Sequence, residues 1–421
     1  MGKKEKTFAL TENERNWVLY DVGNSAFTML ACSLIPIWFK ALAIGEGPGK
    51  ISSDRATAYW ALATSVVTIA VALIGPVLGV LADRKDRKKF WFATTVAVGV
   101  AGCLLNGFLT GWLAFLLVFA VSKTAYASSQ VVYDSMLVDI TTEARMDEVS
   151  SHGFAWGYLG SCLPFLIALG AYVLGPDMAG VISDGLSKAI GFGITAVWWF
   201  AVTVPLLRGY RQTHCSNEKG AVGRVFAQLG RSVVKIVTKE KKVLWFLLAF
   251  FLYIDGVGTI IDNCINVGTD MGLSTVGQVI ALLATQVVAF AFSLVFARLS
   301  RSMSTVSILK ICIAGYFLVC LYALTLHDLL GFAVLAFFVG MFQGTIQSMS
   351  RSYFAKIIPP ENSGEYFGIY DIFCKGASFL GSAVLAAVKL AGGTSNVAVA
   401  CLAVFFFFGY IFLVIADKAE A

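Results

Sequence analysis

The sequence predicts an all-α membrane protein of twelve transmembrane helices in two six-helix halves, and three observations carry that expectation. Of its 421 residues 58% are hydrophobic and only 14% charged, an apolar excess too large for soluble cores of ordinary size. Apolar runs of roughly 20 residues, the length needed to cross ~30 Å of hydrocarbon as a helix, recur along the chain. The longest basic break, Arg208 to Lys242, divides these runs six and six.

The first run, Trp17–Ala43, follows a polar start and has no small-residue cleavage pattern after it, so it reads as an uncleaved span and not a signal peptide. Ala56–Ala82 is next and ends at the basic cluster Arg84, Lys85, Arg87, Lys88 and Lys89. Phe90–Thr110, Trp112–Val138, Gly153–Leu174 and Ala189–Leu207 complete the first half. Val243–Gly268, Val276–Ala297, Thr305–Thr325, Leu330–Phe354, Gly364–Leu390 and Ser395–Ala416 form the second. Backbone groups at hydrocarbon depth must be satisfied within their own segment, which makes helices the economical reading of stretches this long and apolar. Residues 1–207 are thus expected as one half, 208–242 as a basic linker and 243–421 as the other half. Within the linker Val222, Val225, Phe226, Leu229, Val233, Ile236 and Val237 recur at helical spacing among basic residues, which predicts an amphipathic helix on the membrane surface.

The net charge of +6 comes from short loops beside helix ends and not from one soluble face, so it reports orientation and not nucleic acid. Lys and Arg crowd the loops after the second and sixth runs, whereas Lys50, Arg55 and Lys188 are the main basic residues opposite. The positive-inside rule then places both termini in the cytoplasm. The nine cysteines are scattered, mostly inside apolar runs and without a C-x-x-C pair, and read as packing residues. No metal and no cofactor is expected. The three histidines, His152, His214 and His327, fall in loops or at helix boundaries, so no catalytic constellation forms and the chain does not read as an enzyme. The nearest phosphate-loop lookalike, GEGPGKIS at 45–52, has Ile51 where Ser or Thr would hold magnesium, which excludes ATP as the energy source.

Ionisable residues at hydrocarbon depth cost at least ~2.5–3.5 kcal/mol on insertion scales, so each needs a reason. Here they line up at i, i+4, i+7 and i+11, one face of a helix. The stripes are Asp21, Ser25, Thr28, Cys32; Lys123, Ala127, Gln130, Asp134; Asp255, Thr259, Asp262, Asn266; and Asp371, Lys375, Ser378, Ser382. Gln343, Gln347 and Ser350 add a fifth on a shorter register. Asp21 and Asp134 sit near cytoplasmic helix ends, where a gate ion pair and a substrate contact are equally open to them. Asp371 and Lys375 are placed to neutralise each other, and the glutamines could simply join helices. Lys123, Asp255 and Asp262 lie deep in their runs and have no such excuse. A carboxylate in a poorly hydrated cavity can take up a proton on one side and release it on the other, and Asp255, Asp262 and Asp21 are the candidates for that coupling. The segments 136–161 and 353–378 occupy equivalent places in the two halves, the arrangement of repeat-built transporters with a midplane site.

The segment GPVLGVLADRKDRKKF (75–90) resembles the signature loop of the major facilitator superfamily, matching it at Gly79, Leu81, Ala82, Asp83, Arg84, Arg87 and Lys88. The resemblance implies the major facilitator fold and a latch in which Gly79 permits close helix approach. In that latch Asp83 holds the start of the facing eleventh helix through its dipole, and Arg84 and Arg87 tie down carboxylates. Asp86 stands where the signature has its turn glycine, and Asp tolerates left-handed backbone better than most residues. YDVGNSAF (20–27), which contains Asn24, FLYIDGV (251–257) and the segment 343–381 resemble the branch of fungal vacuolar amino-acid effluxers. That branch implies export of small neutral amino acids.

The expected function is therefore a secondary active transporter of a small polar solute, in the first instance an amino acid, working by alternating access and driven by protons. The alternative is an exporter or facilitator of sugars or amphipathic compounds whose charges serve as internal ion pairs. Its expected partners are the solute, protons and the lipid bilayer, with no nucleic acid. The expected state is a multi-pass monomer of the plasma or bacterial inner membrane.

Overall fold

The computed structural model describes residues 8–45, 49–176, 178–216, 225–270, 275–326 and 328–419, without the side chains of 264–270, 275–280, 282 and 376–379. In chain order the helices are α1 (Glu12–Cys32), α2 (Leu34–Ala43), α3 (Ser53–Ala82), α4 (Lys88–Asn106), α5 (Trp112–Ser135), the single turn α6 (Leu137–Ile140), α7 (Met146–Val173) and α8 (Asp184–Gly209). They continue as α9 (Val225–Thr238), α10 (Lys241–Asp270), α11 (Thr275–Leu299), α12 (Thr305–Tyr322), α13 (Leu329–Ile357), α14 (Ser363–Leu390), α15 (Ser395–Cys401) and α16 (Ala403–Lys418). Ten helices among the described residues are long and apolar enough to cross a bilayer, the bent pair α1 and α2 makes an eleventh pass, and α11 supplies the twelfth.

Helix boundaries follow local chemistry. Thr11 accepts from the Glu14 N–H while the Glu14 carboxylate accepts from the Thr11 N–H, a capping box that starts α1 earlier than the apolar run alone suggests. The expected single helix from Trp17 to Ala43 is broken at Ser33 with a 41° bend. Pro36 explains the break, since it has no N–H to give and its ring crowds the carbonyl four residues back, while the Ser33 hydroxyl donates to the Met29 carbonyl. The amphipathic linker helix is present as α9. Val225 and Ile236 are buried on its inner side and Phe226, Val233 and Val237 exposed on its outer side, while Val222 lies outside the described residues.

Two sets of helices result. In the first half α1 packs on α7 and α8, and α4 on α5 and α8; in the second α10 packs on α14 and α16, and α11 and α12 on α13. The halves meet through α3 and α5 against α14, and through α7 against α11 and α13. Leu62, Ile69 and Leu73 on α3 and Leu117 and Val121 on α5 are exposed, as lipid-facing side chains are. Phe8, Asp417, the α3–α4 loop and the described linker residues Ser216 and Glu240 lie at one end of the bundle, called here the basic end. Lys310 pairs with Asp417 there at 2.7 Å, and the Tyr366 hydroxyl donates to Glu240.

Candidate functional site

At the basic end α3 and α14 touch backbone to backbone. A Cβ on Gly79 would lie 2.0 Å from the Gly364 carbonyl oxygen, so only glycine permits the approach. Just past this crossing Asp83, fully buried, accepts from the Gly364 and Glu365 N–H groups at 2.8 Å each. These are free donors of the first turn of α14, where a helix dipole favours negative charge. Burial pushes the Asp83 carboxyl up, to about 7, against the opposing pull of Lys88 and of the two N–H donors. Asp86 takes φ +58°, the left-handed turn conformation in which the signature has glycine.

Arg87 is exposed and lies over the Phe90 ring, and Arg84 pairs through its backbone with Ser216. The carboxylates are tied down by Lys88, because the chain turns into α4 there and carries this side chain beneath the halves. Its Nζ is fully buried, 3.8 Å from Asp83 and 3.1 Å from Asp139, and donates to the Ser363 hydroxyl at 3.0 Å.

Above this latch Arg351 of α13 crosses into the first half. Its guanidinium donates to Asp21 on α1 and Asp134 on α5 at 3.1 Å each, and to the Ser150 hydroxyl and carbonyl on α7 at 3.0 and 3.1 Å. It lies 4.4 Å from the Phe154 ring centre, 4.5 Å from Trp17 and 5.5 Å from Tyr133. Asn24 donates to Asp21 at 3.1 Å. Nearby Asp147 accepts from Lys356, Ser352 and Thr305 at 2.6–2.7 Å, and Arg301 makes a two-pronged pair with Glu148 at 2.9 Å. Sequence reading missed Arg351. Its signal was available, a guanidinium inside the apolar run Leu330–Phe354, but the stripe through Gln343, Gln347 and Ser350 passes one residue to its side.

Farther from the basic end the charges are held more loosely. The Lys123 ammonium sits 5.0 Å from the Tyr126 ring centre and 5.8 Å from Phe27, half-buried, and its charge acts on exposed Asp262 and on Lys375. Lys375 is 3.5 Å from Asp371 along α14. One Asp371 oxygen and the Gln130 carbonyl oxygen are buried without a hydrogen-bond partner among the described residues. Gln347 accepts from the Tyr158 hydroxyl at 3.2 Å, and Gln343 also contacts that hydroxyl.

The structure therefore brings Lys123, Asp262, Asp371 and Lys375 into one neighbourhood, and gathers Asp21, Asn24 and Asp134 around Arg351. Asp255 stands apart. It is buried in the α10–α14 contact, accepting from the Gly381 N–H at 2.8 Å and the Thr259 hydroxyl at 3.4 Å, with no cation against it among the described residues. The side chains of Asn266 and Ser378 lie outside the described residues.

The family described as "Vacuole effluxer Atg22 like" matches residues 11–421. The chain belongs to this Atg22-like family. It is 36% identical over 407 residues to the uncharacterised MFS-type transporter YxiO of Bacillus subtilis, covering 96% of this chain and 94% of that protein. Autophagy-related protein 22 of Coccidioides immitis is 27% identical over 291 residues, which span 61% of this chain and 46% of the fungal protein. Among solved structures, the human organic anion transporter MFSD10 superposes with a TM-score of 0.76 at 13% identity, covering 96% of this chain and 100% of that one. FucP in its outward conformation gives 0.74 at 14% identity, with 97% and 99% covered. These likenesses establish the major facilitator fold. This Atg22-like chain is thus a multi-pass membrane transporter and not an enzyme.

Proposed function

We propose that this transporter carries a small zwitterionic solute, an amino acid in the first instance, by alternating access of residues 1–207 against 243–421 about the linker 208–242. One observation carries the reading: Lys123 of the first half rests on the Phe27 and Tyr126 rings with no ion-pair partner among the described residues, while Asp371 of the second half has one buried oxygen without a hydrogen-bond partner among them. A zwitterion can give its carboxylate to Lys123 and its ammonium to Asp262 or to the unpartnered oxygen of Asp371, with Phe27 and Tyr126 beside its apolar part. Two lysines and two aspartates share this neighbourhood, so it is charge-balanced and suits a cargo without net charge. The basic end is cytoplasmic, as the positive-inside rule requires, and the bonded state is the one shut toward the cytoplasm. Asp255, buried with no cation against it among the described residues, is the proposed site of proton coupling, since a lone carboxylate at hydrocarbon depth holds a proton at less cost than a charge. The transporter is a monomer of the cell membrane on this reading.

The test is a thermal-shift screen of the purified protein against amino acids, sugars, peptides and organic acids, because a ligand that binds the folded form raises its apparent stability. A neutral amino acid should raise the Tm of wild type and not that of Lys123→Gln. A shift with a sugar and none with any amino acid would replace the cargo class. In reconstituted vesicles Asp255→Asn should retain exchange of cargo while losing proton-driven accumulation; driven transport at the wild-type rate would remove the coupling role.

A further inference from the structure

The surroundings of Arg351 have the composition of a ligand site. Two carboxylates, Asp21 and Asp134, the Ser150 carbonyl and the faces of Trp17, Tyr133 and Phe154 converge on one guanidinium. Acids joined to aromatic faces are the means by which proteins hold organic cations. All six residues belong to the first half, whereas the cation they hold is supplied by α13 of the second. A Cβ on Gly153 would lie 2.4 Å from the Asp21 carboxylate and 3.0 Å from the guanidinium, so the glycine keeps room for the cation beside α7.

Opening the basic end withdraws Arg351 with its own half and leaves both carboxylates beside the three rings, facing the cytoplasm without their counter-charge. Two like charges left side by side without their counter-charge oppose that opening. A cation that enters from the cytoplasm and takes the guanidinium's place removes the penalty, and selects the open state because only that state has the site free. We propose that Asp21, Asp134, Trp17, Tyr133 and Phe154 form a second cation site, filled by Arg351 when the basic end is shut and by an organic ammonium group, that of the cargo, when it is open. The proposal rests on the alternating-access reading given above. It adds that the inner gate and the cytoplasmic loading site are one place, with the protein's own side chain standing in for the ligand.

The experiment uses the full chain in vesicles with Ser348→Cys as a reporter. Ser348 is fully buried between the halves, bonded to Ser150 and Ser151, so its labelling from the basic side reads opening there, followed by mass spectrometry of the labelled peptide. Millimolar methylammonium chloride should raise the labelling rate several-fold, and sodium chloride at the same ionic strength should leave it unchanged. In Asp21→Asn/Asp134→Asn labelling should start higher and no longer respond to methylammonium. A complementary measurement needs no reporter: guanidinium at millimolar concentration should raise the Tm of Arg351→Ala by several degrees more than it raises that of wild type, whose site is already filled. Labelling that ignores methylammonium, or responds equally to sodium, overturns the site. Lys123→Gln separates the two readings, because it should abolish the amino-acid response and keep the methylammonium response.

Discussion

The basic end and the neighbourhood of Lys123, Asp371 and Lys375 treat charge in opposite ways. At the basic end Asp83, Asp139 and Asp147 each accept several hydrogen bonds at 2.6–3.1 Å from fixed partners, much of the set crosses between the halves, and the groups are buried. In the second region Lys123 leans on aromatic faces, Asp371 has one oxygen unpartnered among the described residues, and Lys375 keeps a third of its side chain exposed. Saturated charges at the first site hold one conformation together; unsaturated charges at the second are left for something that arrives. The difference teaches that the depth of a charged residue in the membrane does not mark it as a binding residue. What separates the two classes is whether the protein already satisfies it.

The comparison breaks most sharply at Asp83. Asp83→Ala leaves two buried N–H groups of α14 without their acceptor and takes from buried Lys88 one of its two carboxylates, and removing one partner of such a set costs about 3–5 kcal/mol. The expected outcome is a large fall in unfolding free energy in detergent together with loss of transport. Lys123→Gln should do the reverse, lowering cargo affinity at least about tenfold, or ~1.4 kcal/mol, in a binding titration while leaving the unfolding midpoint near wild type.

A smaller effect is expected from pH. The Asp83 carboxyl stands at about 7 when the basic end is shut and returns to the ordinary carboxylate range when that end opens to water. Closure is therefore most favoured at acid pH, and that advantage is lost as pH rises through about 7. Labelling of a basic-end cysteine should accelerate toward neutral pH in wild type and be flat in Asp83→Asn. Least of all should follow from Arg87→Gln, within about 0.5 kcal/mol of wild type because the side chain is exposed. A loss as large as that of Asp83→Ala would restore to Arg87 the role that the signature resemblance gives it.

Most of the scaffold was legible before any coordinates. Run length gave twelve passes, and the signature loop pointed to the Asp83 contact with the start of α14. The candidate site was legible only as a set of suspects. Asp21, Asp134 and Asp255 differ in sequence only by their depth, each being an acid on a helix stripe, and the structure separates them by partner: two share Arg351, and one meets Gly381 and Thr259 among the described residues. Lys88 was counted as part of a basic cluster, and nothing in that cluster told it from exposed Arg87. The bend at Ser33 was hidden because Pro36 lies inside an unbroken apolar run, and hydrophobicity does not register a missing N–H.

The sequence by itself determined the solvent of this protein, the number of its passes and its orientation signal. Those properties depend on composition over stretches of about 20 residues, since each stretch must satisfy its own backbone in hydrocarbon. Tertiary structure decided which charges are spent on holding the halves together and which remain to be used. Arg351 and Asp21 are 330 residues apart along the chain, and their attraction acts only over the few ångströms that helix packing creates.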